Sequence, residues 1–574
     1  VIIIIAFLTL LTWITYFGAL NNGFVSDDIE GIANYDGKFL GWDYGRITKY
    51  IFFKLFGKDP RRNHIFSVVL HNANVILLYT FLSALINPTI ALFTSIIFAV
   101  HPVNTQAVAW ISGRGYPIGL FCGLLLFNLL HIIGPLQSVS LPIFCGVVAL
   151  ATLFYYVGVH AQFAIMMSFG VLAFLGHYFI AMIGFVLAIV MGMGIVKEVI
   201  GMRKKVFVAQ NMGATTKLHP KRLIIAFKTL WYYTRLCLLP KRMGLYHVYG
   251  YHYNDEFAKE DRAFWQGFLV AIIMVMGLIY GNFTIRLGIV WFISYIFIFL
   301  NWITIHQFIS ERYCHIPVVG ICIILAGLLA PYPIVFAVVA SLYLMRTLIH
   351  LPTYSDEVAF YQSNVWNFPN SEVAFANLGV TYMKRGLLGS AMDMWLVALK
   401  INPKYDVAHY NISSTLKTKG QLEDAQKHLK AAVDSPICHF KDVWAKELEQ
   451  LEHEVEYSKT FKGINTELTK VMGNPQLHDK AKKIYDRLNK LQSFHKDLDK
   501  QRSEQVKLFE QQEKELSEKI VQVQGAKEAA KKPVSIEELV QNRDNGMTQI
   551  VNSYNELVKG NILNEDTTNR VQPN

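Results

Sequence analysis

Apolar runs of about 20 residues recur through the first 350 positions, and the pattern then changes to short amphipathic helices rich in charge. Each run is long enough, as a helix, to cross a hydrocarbon core of about 30 Å. Spans are expected near residues 1 to 20, 64 to 86, 89 to 105, 115 to 134, 139 to 158, 161 to 180, 181 to 200, 262 to 281, 285 to 304, 315 to 331 and 332 to 350, about eleven in all. Residues 223 to 240 are interrupted by Lys228 and Arg235, and a partly inserted or interfacial helix is expected there. The chain opens at Val1 directly into its first apolar run, without the basic n-region of a signal peptide, so the natural start is expected upstream. An odd span count places the tail on the same side as the loop after the first span. The two long hydrophilic loops, residues 21–63 and 201–261, fall on that side too.

Past residue 350 helical pairs repeat with a period of 34 residues, the length of a tetratricopeptide repeat. Phe375, Leu378, Gly379, Tyr382, Gly386, Ala391, Trp395, Ala398 and Pro403 occupy that repeat's characteristic places. His409, Ile412, Ser413, Leu416, Gly420, Ala425, Leu429 and Ala432 fall in a second copy, and residues 355–369 read as the second helix of a degenerate preceding one. Residues 351–436 are therefore expected to form the repeat section. Residues 437–560 read as a charged helical tail, with Pro533 and the capping box from Ser535 to Glu538 marking one helix start. Heptad spacing links Ile484, Leu491 and Leu498, then Phe509, Leu516 and Val523, with the seam shifting at Gln505 and Gln512. Residues 440–525 are accordingly a candidate surface for a helical partner, the alternative being a solvated hairpin on the repeats. Residues 561–574 are expected to be disordered. The fold class is all-α, a polytopic membrane bundle followed by helical repeats and a helical tail.

The 574 residues are 53% hydrophobic with a mean hydropathy of +0.30 and a formal net charge of +11. With no recognition module beside them, the basic residues that flank spans meet membrane lipid phosphates, and nucleic acid is excluded as a partner. Arg203, Lys204, Lys205, Lys221 and Arg222 run against the positive-inside tendency if their loop is external. Either the count is off by one or these cations have a local anionic partner. The six cysteines show no CxxC spacing and make neither a disulfide framework nor a zinc site.

Candidate chemistry starts with Asp27-Asp28, in the polar loop NNGFVSDDIEGI after the first span. Neighbouring carboxylates there could take a proton from a hydroxyl or hold a metal or sugar hydroxyl; the bland alternative is a solvated turn. His64, His71, Asn72 and Asn74, then His101 to Gln106, then Gly113-Arg114 cluster at one end of successive spans, as a polar floor under that loop. Lys197-Glu198 ends another span and Glu311-Arg312-Tyr313 precedes a later one, with structural helix-to-helix pairing as the competing reading.

The order SDDIEGI, RNHIFSVVLHNANVILLY, HPVNTQAVAWISGRG, MGIVKEVIG, LWYYTRLCLLPKRMGLYHVYGY and ISERYCHIP, then the repeats, resembles the transmembrane and tetratricopeptide-repeat O-mannosyltransferases and their bacterial relatives, over roughly residues 1 to 435. The resemblance implies a GT-C glycosyltransferase fold and transfer of a sugar from a polyprenyl-phosphate donor to a protein hydroxyl on the external or luminal side. It makes Asp27 or Asp28 the candidate base, and Arg114, Lys197 and Arg312 the candidates for the donor phosphate. Glu311 is expected to orient Arg312, with Glu198, His71, His101 and Gln106 in support. Tyr246, His247, Tyr249 and Tyr251 are placed at the sugar or acceptor cleft, with packing as their alternative role, and the repeats present the acceptor protein. Location follows as the plasma membrane in a prokaryote or the endoplasmic reticulum in a eukaryote. Where the family commonly reads HPxHTEAV and GRAD, this chain has Asn104, Gln106 and Tyr116, a histidine and two acids fewer. The departures put divalent-metal dependence in doubt and sustain a rival reading, a catalytically weakened anchor whose repeats and tail organise an assembly. A transporter lacks support, since no matched pair of broken helices is evident.

Overall fold

The computed structural model describes residues 1–39, 44–134, 168–186, 220–245, 261–301, 309–436 and 440–472, with a few isolated positions between them. Every regular element among the described residues is helical. Residues 1–503 form one compact unit and residues 504–574 a second, which lies outside the described residues with the expected capping box, the second set of heptad positions and the terminal segment.

Helix α1 (Ile2–Tyr16) continues as a 3-10 turn to Asn21 and is followed by the first loop, which carries α2 (Tyr44–Phe56). Helix α3 (Pro60–Leu85) starts sharply because Pro60 cannot extend a preceding helix and Asp59 accepts from the Arg61 and Arg62 amides. Helix α4 (Pro88–Val100) is capped in the same way by Asn87. The short α5 (Asn104–Ala109) and a 3-10 turn lead into α6 (Gly115–Ile133). Then come α7 (Ser168–Phe174), α8 (Pro220–Leu238), α9 (Asp261–Tyr280), α10 (Phe283–Ile296), α11 (Val318–Leu329) and α12 (Pro333–His350).

Five segments among the described residues are long and apolar enough to cross a membrane: Ile2–Asn21, Pro60–Leu85, Ile111–Ile133, Arg262–Tyr280 and Pro333–Tyr354. Three expected spans are shorter helices, at Pro88–Val100, Phe283–Phe299 and Val318–Leu329. The first stops at the His101-Pro102 turn and the last is bounded by Pro317 and by Pro333 of the next helix. The expected spans at 139–158 and 181–200 fall in large part outside the described residues, whereas the one at 161–180 is described from Ser168 onward and is interrupted, since α7 ends at Phe174 and Gly176 takes a φ of +85°. Residues 223–238 lie in α8, where Lys228 is fully buried; the helix packs chiefly against α9.

Helix α3 touches α1, α4 and α6 and is the centre of the apolar bundle. Helices α10 and α11 cross at Gly288 and Gly320, where a Cβ on Gly320 would lie 2.3 Å from the Gly288 carbonyl oxygen. Only backbone fits there, the close approach by which small residues join apolar helices.

After residue 350 follow α13 (Glu357–Asn367), α14 (Glu372–Lys384), α15 (Leu388–Ile401), α16 (Asp406–Thr418), α17 (Leu422–Val433) and α18 (Lys441–Met472). The α14–α15 hairpin recurs as α16–α17, with starting residues 34 positions apart for both members. Gly386 and Gly420 end the first helix of each hairpin at φ +80° and +76°, a conformation that glycine adopts without steric cost. Inside the first hairpin Trp395 is fully buried over Gly379 and donates to the Ala376 carbonyl at 3.1 Å. Its counterpart crossing uses Ser413, which donates to the Ala425 carbonyl at 2.7 Å. A second core unites the two parts of the unit, running from Tyr16, Val25 and Trp110 through Tyr354 and Phe360 to Phe375 and Trp395.

Candidate functional site

The first loop turns back on itself at Ser26, the residue before the acid pair, which takes the left-handed φ of +52°. This sends the two neighbouring carboxylates to different environments. Asp28 is fully buried, and its Oδ1 accepts from the Ser112 amide at 2.7 Å and from the Ser112 hydroxyl. Its Oδ2 accepts from the Val25 amide at 3.4 Å. Burial pushes the Asp28 carboxyl up to about 6, opposed by the Ser112 and Val25 hydrogen bonds and the Arg114 charge. Asp27 is exposed and lies within electrostatic reach of Arg312. The loop is fastened further by Trp110, whose Nε1 donates to the Val25 carbonyl at 3.2 Å, and by His64, whose Nε2 is 3.3 Å from the Gly23 carbonyl.

Two guanidinium groups flank this pair. Arg114 donates through Nε to the Ile111 carbonyl at 3.0 Å and through Nη2 to Asn63 Oδ1 at 2.9 Å, with Phe52 under its plane at 4.6 Å. Its Nη1 is buried with no hydrogen-bond partner. Arg312 lies over the Trp110 ring at 4.9 Å and beside Tyr313 at 5.4 Å, with Tyr116 within electrostatic reach. Its Nε and Nη1 are likewise buried without a partner. An unmade hydrogen bond at a buried donor costs about 1–3 kcal/mol, more for a charged group, so these N–H groups are positions where an anion's oxygens would be stabilised.

The rest of the expected polar floor makes hydrogen bonds within the fold, while His71 Nδ1, Asn104 Oδ1 and Gln106 Nε2 are buried without a partner. His71 approaches the Ala99 carbonyl at 3.4 Å and packs among Tyr16, Phe98 and His315. His101 holds the Cys237 carbonyl at 2.8 Å and accepts from the Val103 amide. Gln106 accepts from the Ser310 hydroxyl at 3.0 Å and from the Arg312 amide at 2.7 Å, so it fixes the turn that carries Arg312. Asn104 donates to the Phe98 carbonyl at 2.7 Å. Glu311 is fully buried, accepts from the Gly244 amide and faces His350 at 3.7 Å. Lys197, Glu198, Tyr246, His247, Tyr249 and Tyr251 lie outside the described residues.

Reading the sequence passed over Trp110 and Ser112, which fix Arg312 and Asp28. Their signal was present in the run AVAWISGRG, where an aromatic N–H and a hydroxyl stand beside the arginine. Among the described residues no group of three or more His, Cys, Asp or Glu side chains could hold a metal ion.

No known family model matches the chain, and no solved structure matches it. The chain is 25% identical over 443 residues to a protein O-mannosyl-transferase of Caenorhabditis elegans. The match covers 69% of this chain and 62% of that protein, so the chain spans less than two thirds of that relative's length.

Proposed function

We propose that this chain is a membrane glycosyltransferase that moves a sugar, mannose by its likeness to the nematode protein, from a polyprenyl-phosphate carrier to a protein hydroxyl. The observation that carries this reading is Arg312, whose buried Nε and Nη1 have no partner, within electrostatic reach of the exposed carboxylate of Asp27. In this reading Arg312 and Arg114 hold the donor phosphate and stabilise the charge that grows on it as the bond to the sugar breaks. Lys197 is retained as a third phosphate ligand. Asp27 takes the proton of the acceptor hydroxyl, whose oxygen attacks the anomeric carbon while the carrier phosphate leaves with the bonding electrons, giving inversion. Asp28, already engaged by Ser112 and Val25, positions the loop that presents Asp27.

The hairpins at 372–433 are assigned here as tetratricopeptide repeats that present the acceptor polypeptide, on the same external or luminal face as the first loop. Their 34-residue recurrence with glycine at both corners supports the assignment. In this reading the carboxylates that Gln106 and Tyr116 replace are not needed: Gln106 grips the backbone under Arg312 and Tyr116 lies within electrostatic reach of its guanidinium.

The test is transfer from a polyprenyl-phosphate mannose to a serine- and threonine-rich peptide by the full chain in lipid nanodiscs. The double variant Asp27→Asn, Asp28→Asn should abolish transfer while donor binding survives. A parent that transfers no sugar from any polyprenyl-phosphate donor would favour a membrane scaffold instead.

A further inference from the structure

Helix α13 stands between the repeat hairpins and the first loop, and its polar side chains are divided between them. On the repeat side, Asp356 at its N-cap pairs with Arg385 at 3.1 Å, Glu357 with Lys384 at 3.4 Å, and Gln362 donates to the Tyr382 hydroxyl at 3.0 Å. All three of those partners belong to α14 or the residue that ends it. On the other side, Phe360 meets the Trp110 ring at 6.4 Å and Tyr354 at 5.7 Å. Tyr361 donates to the Ser26 hydroxyl at 3.4 Å, one residue before the acid pair. Just upstream of α13, the Ser355 carbonyl accepts from the Gly23 amide at 2.7 Å.

Asn364 reaches the other half of the site. It is fully buried, donates to the Phe360 carbonyl at 2.8 Å and accepts from the Leu245 amide at 2.6 Å. Gly244 is pressed against it so closely that a Cβ there would lie 2.7 Å from Asn364 Oδ1 and 2.8 Å from Phe368. The Gly244 amide in turn donates to Glu311, the residue before Arg312. One helix thus contacts the acid-bearing loop through Tyr361 and the guanidinium-bearing turn through Asn364, Gly244 and Glu311.

From this arrangement we infer that α13 is a strut coupling the repeat hairpins to both halves of the site, with Tyr361 and Asn364 as positioning residues. The inference rests on the transferase reading for its catalytic consequence, but the strut itself is a property of the fold. Neither side chain needs to touch donor or acceptor. Their loss lets the acids and Arg312 wander from a shared geometry, which lowers turnover more than binding.

The experiment combines amide hydrogen exchange with kinetics on the full chain in nanodiscs, using Asn364→Ala, Asn364→Asp and Tyr361→Phe, with polyprenyl-phosphate mannose and a serine- and threonine-rich peptide. Asn364→Ala should speed exchange at Leu245 and Gly244 by about tenfold or more. It should lower kcat by about tenfold while both KM values stay within about twofold. Asn364→Asp retains an acceptor for the Leu245 amide and should recover most of the protection and turnover. Tyr361→Phe, a milder change that removes only a hydroxyl, should speed exchange in residues 22–34 and leave residues 244–245 as in the parent. Unchanged exchange at Leu245 in Asn364→Ala, or at residues 22–34 in Tyr361→Phe, would overturn the strut. So would a rise in KM at unchanged kcat. If Asn364→Ala does not fold, the other two variants decide the matter. A parent without transfer activity removes the transferase reading alone, because the exchange pattern still upholds or overturns the strut.

Discussion

Substituting Ser112→Ala removes one of the two donors that Ser112 directs at Asp28 Oδ1 and leaves the amide donor, at 2.7 Å, in place. In the parent, burial raises the Asp28 carboxyl to about 6, against about 3.9 for an aspartate in an unfolded chain. A group whose proton is held more tightly in the folded state stabilises the fold most at low pH. Its contribution is complete below pH about 4 and is lost as the pH rises through about 6, a total of about 3 kcal/mol. A hydrogen bond to a charged group contributes about 1.5–3 kcal/mol, so deleting the hydroxyl should lift the carboxyl by at least about one further pH unit. Between pH 5 and pH 8 the parent should then lose about 1.4 kcal/mol from this residue and Ser112→Ala about 2.7 kcal/mol or more. The two proteins should be nearly matched at pH 5 and separated at pH 8. Reversible denaturant unfolding in mixed micelles reads the difference, and exchange rates of the amides in residues 22–34 give an independent measure. A gap that is the same at both pH values, or no gap, would refute the account of how Asp28 is held.

Arg312→Ala should weaken binding of a polyprenyl-phosphate donor about ten- to hundredfold, and Arg312→Lys should recover only part of this because an ammonium cannot lie flat on Trp110; equal donor affinity in parent and both variants would take Arg312 out of the site. Gly379→Ala places a Cβ 2.4 Å from the Nε1 of the buried Trp395 and should destabilise the first hairpin by about 1–3 kcal/mol, read as faster proteolysis within residues 372–401; unchanged proteolysis would contradict the packing described for that hairpin.

The repeat period was legible because helix contacts within a hairpin are local, and small residues must recur wherever two helices cross. Gly386 and Gly420, Ala391 and Ala425, and Ala398 and Ala432 carry that regularity at 34-residue spacing. The acid pair was legible as chemistry, but the distinction between its members was not. Asp27 and Asp28 are separated by Ser112, 84 residues further along than Asp28, and by the turn at Ser26, and no spacing within the loop encodes which acid Ser112 takes. The sequence pattern suggests one polar floor, whereas His71, His101 and Asn104 direct hydrogen bonds to carbonyls within the bundle. Only tertiary placement reveals whether a buried polar group serves the fold or a ligand. Helix α13 could be anticipated as a repeat-like helix, but its grip on Leu245 and Ser26 spans 119 and 335 residues of sequence. No periodicity encodes such pairings.

The division of labour between the two acids is the centre of this account, and single-turnover mannosyl transfer by Asp27→Asn and Asp28→Asn, each with saturating polyprenyl-phosphate mannose, tests it most directly. A positioned base contributes on the order of a hundred- to ten-thousandfold in rate. Asp27→Asn should therefore fall by that factor with its donor affinity and loop exchange unchanged, whereas Asp28→Asn should show accelerated exchange in residues 22–34 along with its loss of rate. Transfer by Asp27→Asn at the parent rate would contradict the assignment of the base.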